Sequence, residues 1–157
     1  MRYTAIIAFA AITLRWLLHA DKVITDGHSF TPIHLLALLL AVFFAQHVLL
    51  RSNTATTFPM LVRTGFRNAV LYALAIAVFS YALYTWIDPL YFPIEVNQRI
   101  DMAVADGVPE TEARARMGAM FTPLNYATFT LIIYMAAGIL FALVMGAVHH
   151  KVLRRLR

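Results

Sequence analysis

Histidine is the side chain here with the widest chemical reach, and most of the six stand where a helix would present them. His34 and His47 share one apolar run, while His19, His149 and His150 stand at the ends of two others. Imidazoles on facing helices of a bundle can hold a haem iron between them. His34, His47 and His149 are therefore the residues to consider for binding a haem or a quinone. Spacing argues against a two-haem arrangement. Thirteen positions at about 100° each put His34 and His47 roughly 140° apart, so one narrow interior face cannot present both. All the candidates also fall near the ends of their runs, where an imidazole is easily solvated, and no cofactor is expected.

Arg15 is the one charged residue inside an apolar run, a placement that is functional by default in a membrane segment. It stands about one turn from the end of that run, so its side chain is expected to snorkel outward. Asp88, at the end of the third run, is the counter-ion to expect, and the pair reads as a structural clamp rather than a transport site. Gln46, Asn68, Ser80 and Tyr134 are expected to hydrogen-bond between helices. No catalytic residue is assigned: none of the eight acids lies inside an apolar run, and no nucleophile, base and acid converge. With no cysteine, disulfides, thiolate chemistry and cysteine-bound zinc or iron–sulfur sites are excluded, and no metal site is expected. An enzyme is not expected.

The elements that must position these residues are long and apolar. Of 157 residues, 61% are hydrophobic and 13% charged, against about 25% charged in soluble domains. Four stretches, about 3–19, 32–50, 66–87 and 124–150, approach the roughly 20 residues that a bilayer core requires. The expectation is all-α: a single transmembrane domain over 1–157, an integral membrane four-helix bundle with an outer amphipathic helical hairpin, about 94–121, between spans three and four. The start "MRYTAIIAFAAITLRWLLHA" has the basic opening and short apolar core of a signal peptide. Arg15–Trp16 is an unusual approach to a cleavage site, and an uncleaved span is the reading favoured.

Charge sets the orientation. Arg2, Arg51, Arg63, Arg67, Lys151, Arg154, Arg155 and Arg157 fall on one side of a four-span arrangement. The other side holds Lys22, Arg99, Arg114 and Arg116 with all eight acids, among them Asp26. The basic side is expected to be cytoplasmic, with both termini there. Trp16, Trp86, Tyr91 and Tyr126 fall at the opposite ends, where amphipathic rings favour the headgroup level. The tail "KVLRRLR" then reads as an anchor at an anionic leaflet, and no nucleic acid is expected as a partner.

Small residues at four-residue spacing mark faces where helices meet in lipid. Gly138, Ala142 and Gly146 form such a stripe in the fourth span, Ala69, Ala73 and Ala77 in the third, and Ala37, Ala41 and Ala45 in the second. Packing within the chain, with spans three and four as a tight hairpin, is favoured; a homo-oligomer seam along Gly138 is the alternative.

Between those two spans, "DGVPETEARARMGAMF" (106–121) reads as soluble helix. Before it, Val96, Ile100, Ala103 and Val104 share a face of a first short helix, which Gly107 ends in a left-handed conformation. Pro109 falls in the first turn of the second helix. Glu110–Arg114 and Glu112–Arg116 are i,i+4 pairs in the favourable order. Ala113, Met117, Met120 and Phe121 make its apolar stripe, and Thr122 with Pro123 caps the last span. Met117, Met120 and Phe121 are the candidate docking residues, since methionine-rich faces adapt to partners.

The series "RTGFRNAVLYALAIAVFSYALYTWIDPLYFP", "DGVPETEARARM", "FTPLNY" and a last glycine-containing span with a basic tail resembles a bacterial membrane family, domain of unknown function 4199, over 58–157. The resemblance implies four spans, a proline after the third, and a Ser/Thr-Pro before the last. Pro109 stands where a helix-capping serine is commoner in that family. No activity is established for it, so the resemblance implies a fold and no site.

Three function classes remain. The leading one is a non-enzymatic structural or accessory subunit of the bacterial inner membrane, docking other membrane subunits through its outer hairpin. The alternative is a small oligomeric transporter or channel with Arg15 near its mouth. A haem- or quinone-binding electron-transfer subunit comes third.

Overall fold

The computed structural model describes residues 2–23, 29–53 and 55–156; Asp26 and Arg157, counted in the charge asymmetry above, lie outside them. All the regular structure among the described residues is helical. The order is α1 (Arg2–Ala20), α2 (Thr31–Ser52), α3 (Phe58–Ala82), a π-helical turn (Leu83–Ile87), α4 (Tyr91–Ala105), α5 (Glu110–Met120), α6 (Pro123–Lys151) and a final 3₁₀ turn (Leu153–Leu156). Four helices are long and apolar enough to cross a membrane: α1, α2, α3 with its π turn, and α6. The protein is thus an all-α chain with four candidate spans and a helical hairpin inserted between the third and fourth.

Proline starts three of the four. Pro32, Pro59 and Pro123 each stand in a first turn, where the missing N–H would be unsatisfied anyway. This is why α3 begins at Phe58 rather than near residue 66: Pro59 opens the helix, and the polar residues Arg63, Thr64 and Arg67 are carried inside its first three turns. Thr122 Oγ1 accepts the Asn125 N–H at 3.2 Å and so caps α6.

The chain divides into two compact units, residues 1–76 with 131–157, and residues 77–130. In the first, the interior is built from small residues and a few polar ones. Ala8, Ala11, Ala37, Ala41, Ala69, Ala73 and Ala142 are buried together with Leu38, Val42, Tyr72, Ile76 and Tyr134. Large apolar side chains point the other way: Ile6, Phe9, Leu36, Leu71, Leu140 and Leu143 are exposed. Water would penalise that arrangement, whereas lipid chains accept it.

The seam between α3 and α6 is closely packed. A Cβ added at Gly138 would lie 2.5 Å from the Cβ of Ala69, and one at Gly146 would lie 3.2 Å from Val62 Cγ2. At Gly65 an added Cβ would come within 3.1 Å of Ala142 Cβ. Gly138, Ala142 and Gly146 therefore face the chain's own third helix.

In the second unit, Tyr84 is the hub. Its ring centre lies 4.6 Å from Tyr91, 5.1 Å from Phe92 and 5.1 Å from Tyr126. Tyr91 and Tyr126 are half-buried around this hub, while Trp16 and Trp86 are exposed. The edge-on and tilted ring contacts add to the area the rings bury.

If the α3–α6 seam holds the first unit together, even one methyl group at its closest point should be felt. Gly138→Ala is expected to lower the thermal midpoint in detergent by several degrees, in line with about 1–3 kcal/mol for overpacking. Adding Ala69→Gly should restore most of the loss. A Gly138→Ala melting curve identical to that of the unmodified protein would contradict the geometry.

Candidate functional site

Three places hold the chemistry-bearing residues. The first is a polar cluster inside the first unit, built by α1, the start of α2, α3 and α6. Arg15 is 2% exposed, with its guanidinium carbon 5.2 Å from the Phe30 ring centre. Its guanidinium, expected to reach a solvated level one turn from the helix end, is covered by the chain itself. Phe30, buried at the threshold of α2, puts an aromatic ring over the cation, and a cation over a ring in a dry site is well held. Asp88, the counter-ion expected from the sequence, belongs to the second unit and follows its π turn.

Next to this cation region, His34 is buried and shares a 3.1 Å hydrogen bond between its Nδ1 and the Tyr72 hydroxyl. The Tyr134 ring meets it edge-on with centres 6.0 Å apart. His34 Nε2 is buried without a hydrogen-bond partner. A cation, an imidazole and a phenol in one dry interior can orient a polar ligand or hold helices in register. Tyr72 was not singled out by sequence reasoning. Its signal is its place between Ala69, Ala73 and Ile76 on the buried face of α3.

The second place is near the termini-bearing ends of α2 and α6. His47 and His149 lie with ring centres 5.8 Å apart, and Phe43 packs against both. The 140° separation of His34 and His47 does not keep His47 out of the bundle. Both histidines touch α6, at Tyr134 and His149 respectively, because a bundle interior subtends a wider arc than one stripe, and His47 sits half-buried at its margin. Beside it, Gln46 is fully buried and its Nε2 donates to the carbonyls of Leu61 at 3.1 Å and Ala142 at 2.9 Å. Thr4 donates to Asn68 Oδ1 at 2.6 Å, tying α1 to α3. These are the interhelical hydrogen bonds expected for Gln46 and Asn68. Against the outer wall of α3 and α6 lies an apolar cavity of about 530 Å³, lined by Phe58, Val62, Phe66 and Leu143 with Arg63 at its edge.

The third place is the inserted hairpin. Gly107 has φ +89°, and the Val108 N–H reaches the Ala103 carbonyl while the Gly107 N–H reaches that of Val104, a Schellman ending for α4. Pro109 stands one position ahead of α5 rather than in its first turn, since its ψ of 134° is extended. Glu110–Arg114 pairs at 2.9 Å, and Glu112–Arg116 is in contact as well. Arg99 is held by Glu95 at 2.6 Å and lies 4.4 Å from the Phe121 ring centre, which pins the end of α5 to α4. That clasp was missed from sequence, although Glu95 and Arg99 stand at i,i+4. Of the expected docking residues, Met117 and Phe121 are half-buried, and Met120 is 59% exposed. Among the described residues no group of three His, Cys, Asp or Glu side chains could hold a metal ion.

Removing the Tyr72 hydroxyl would leave both nitrogens of buried His34 without a partner. Tyr72→Phe is expected to cost about 0.6–1.7 kcal/mol of stability in detergent. In a His34→Leu background the same change should cost much less. Equal losses in both backgrounds would show that the two side chains do not act as a pair.

A family model described as "Protein of unknown function (DUF4199)" matches residues 3–151. No curated protein and no solved structure matches the chain.

Proposed function

The chain belongs to the DUF4199 family, and on that premise we propose that it is a non-enzymatic accessory subunit of a membrane complex, docked through its inserted hairpin. One observation carries the reading: the hairpin displays apolar side chains on a net acidic surface. Ile94, Met102, Val104 and Met120 are exposed on α4 and α5. Over residues 91–121 three arginines face five acids, a net charge of −2. An amphipathic helix that rests on a bilayer carries lysine and arginine on its polar face, to meet anionic headgroups. This one would be repelled by them. A second integral membrane protein, presenting an apolar surface at the same level, is the cover that suits exposed methionines.

The hairpin lies on the outer side in this reading, and both termini in the cytoplasm. Arg2, Arg51, Arg63, Arg67, Lys151 and Arg154, all exposed, cluster at the helix ends that share the termini, and basic residues concentrate on the cytoplasmic side.

Two experiments test these statements. In intact cells, a cysteine introduced at Gly107 should react with an impermeant thiol reagent, and one at Asn53 should not; labelling at Asn53 alone would reverse the orientation. For docking, the double variant Met102→Ser, Met120→Ser should melt within a degree or two of the unmodified protein, because solvent-facing positions usually shift stability by no more than about 0.5 kcal/mol. It should also lose a membrane subunit that co-purifies with the native chain in mild detergent. Retention of the same co-purifying set would overturn the proposal.

A further inference from the structure

We propose that His47 and His149 form a two-coordinate site for a soft monovalent cation of the cuprous class, bound between His47 Nδ1 and His149 Nε2. The starting point is His149, which is fully buried near the end of α6. Its Nδ1 lies 2.8 Å from the Met145 carbonyl oxygen. A carbonyl only accepts, so Nδ1 carries the proton and donates it, and Nε2 keeps a lone pair. That is how metal-bound imidazoles are oriented: the distal N–H is fixed by a backbone carbonyl and the other nitrogen is left to bind. Yet His149 Nε2 is buried with no hydrogen-bond partner, and so is His47 Nδ1. A buried polar atom without a partner costs about 1–3 kcal/mol, and two on neighbouring rings ask for a common occupant.

Geometry and donor chemistry narrow that occupant. The ring centres are 5.8 Å apart, a little closer than two metal–nitrogen bonds of about 2.0 Å each would set them in line, so the ion would take its two ligands at a bent angle. Phe43 stacks on His47 with planes 9° apart and lies 4.8 Å from His149, so an aromatic face closes one side and its quadrupole favours a cation. Two imidazoles fall short of the four donors that zinc takes, and no third His, Cys, Asp or Glu joins them among the described residues. A monovalent d10 ion is satisfied by two ligands and leaves half the uncompensated charge that a divalent ion would in this dry site. The Met145 contact the structure gives is its carbonyl oxygen on His149 Nδ1, so the shell offered to the ion is two imidazole nitrogens, donors that suit copper.

The full chain in detergent is titrated anaerobically with Cu(I) against a chromophoric cuprous chelator, and in parallel with Ag(I), a redox-inert stand-in. One ion per chain is expected. His47→Ala and His149→Ala should each weaken binding by at least about 100-fold, since loss of an outer-shell partner alone costs 10–100-fold. His150→Ala, whose ring packs on Phe58 instead, should bind as the unmodified chain does. X-ray absorption of the Cu(I)-loaded unmodified protein should report two nitrogen neighbours, a readout that stands even if a histidine variant fails to fold. Affinity unchanged in His47→Ala, tighter binding of Zn(II) than of Cu(I), a shell of sulfur alone, or no binding (a bridging water in place of an ion) would each overturn the site.

Discussion

The contact on which the first unit depends is the approach of α3 to α6, where Gly138 meets Ala69 with no room for a methyl group. In lipid there is no gain from hiding apolar surface, because the surroundings are as apolar as a leucine. What remains is dispersion across many atoms at short range, and dispersion falls away within an ångström of lost contact. Small residues are the only ones that let two backbones come close enough to collect it. The large side chains are thereby displaced to the perimeter, and the alanine-rich interior with its leucine-rich exterior follows from that single requirement.

Such an interior has a second effect. Alanine and glycine leave short distances between helices, so a polar side chain from one reaches backbone carbonyls of the next. Gln46 spans from α2 to carbonyls on both α3 and α6, and Thr4 reaches Asn68. In a dry medium a backbone or side-chain polar group has nowhere else to turn. The polar residues are therefore arranged as cross-ties at different levels of the bundle, with Arg15, His34 and Tyr72 at one level and His47 and His149 at another.

The parts that were legible in the sequence are those governed by local chemistry. The number and order of the long helices follow from the apolar runs, the ending of α4 from Gly107, and the Glu–Arg pairs of α5 from their spacing, whereas the early start of α3 follows from Pro59. The small-residue stripes are legible as well, because only one face of each helix carries them. What escaped reading depends on residues far apart in the chain. The ring of Phe30 over Arg15 is one such contact, which a one-helix view cannot place. The gathering of Tyr91 and Tyr126 around Tyr84 joins residues up to 42 positions apart and has no local signal. That His149 could face a histidine of the second span was legible from its place near a span end, but choosing His47 over His34 requires knowing how α2 and α6 are staggered.

The π turn at Leu83–Ile87 carries a consequence of its own. Each turn of that kind takes up one residue more than an α-helical turn, so everything beyond it is rotated by about 100° relative to an uninterrupted helix. Leu83 and Tyr84 remain buried, while Trp86 is swung to a position 74% exposed. The turn thus works as a phase shifter: it uncouples the angular bookkeeping of α3 from that of the segment it hands over to. A span that closes this way sets the faces of its last residues apart from those of the α-helical turns before them, and the Asp88 N–H leaves it bonded to the Leu83 carbonyl, five residues back.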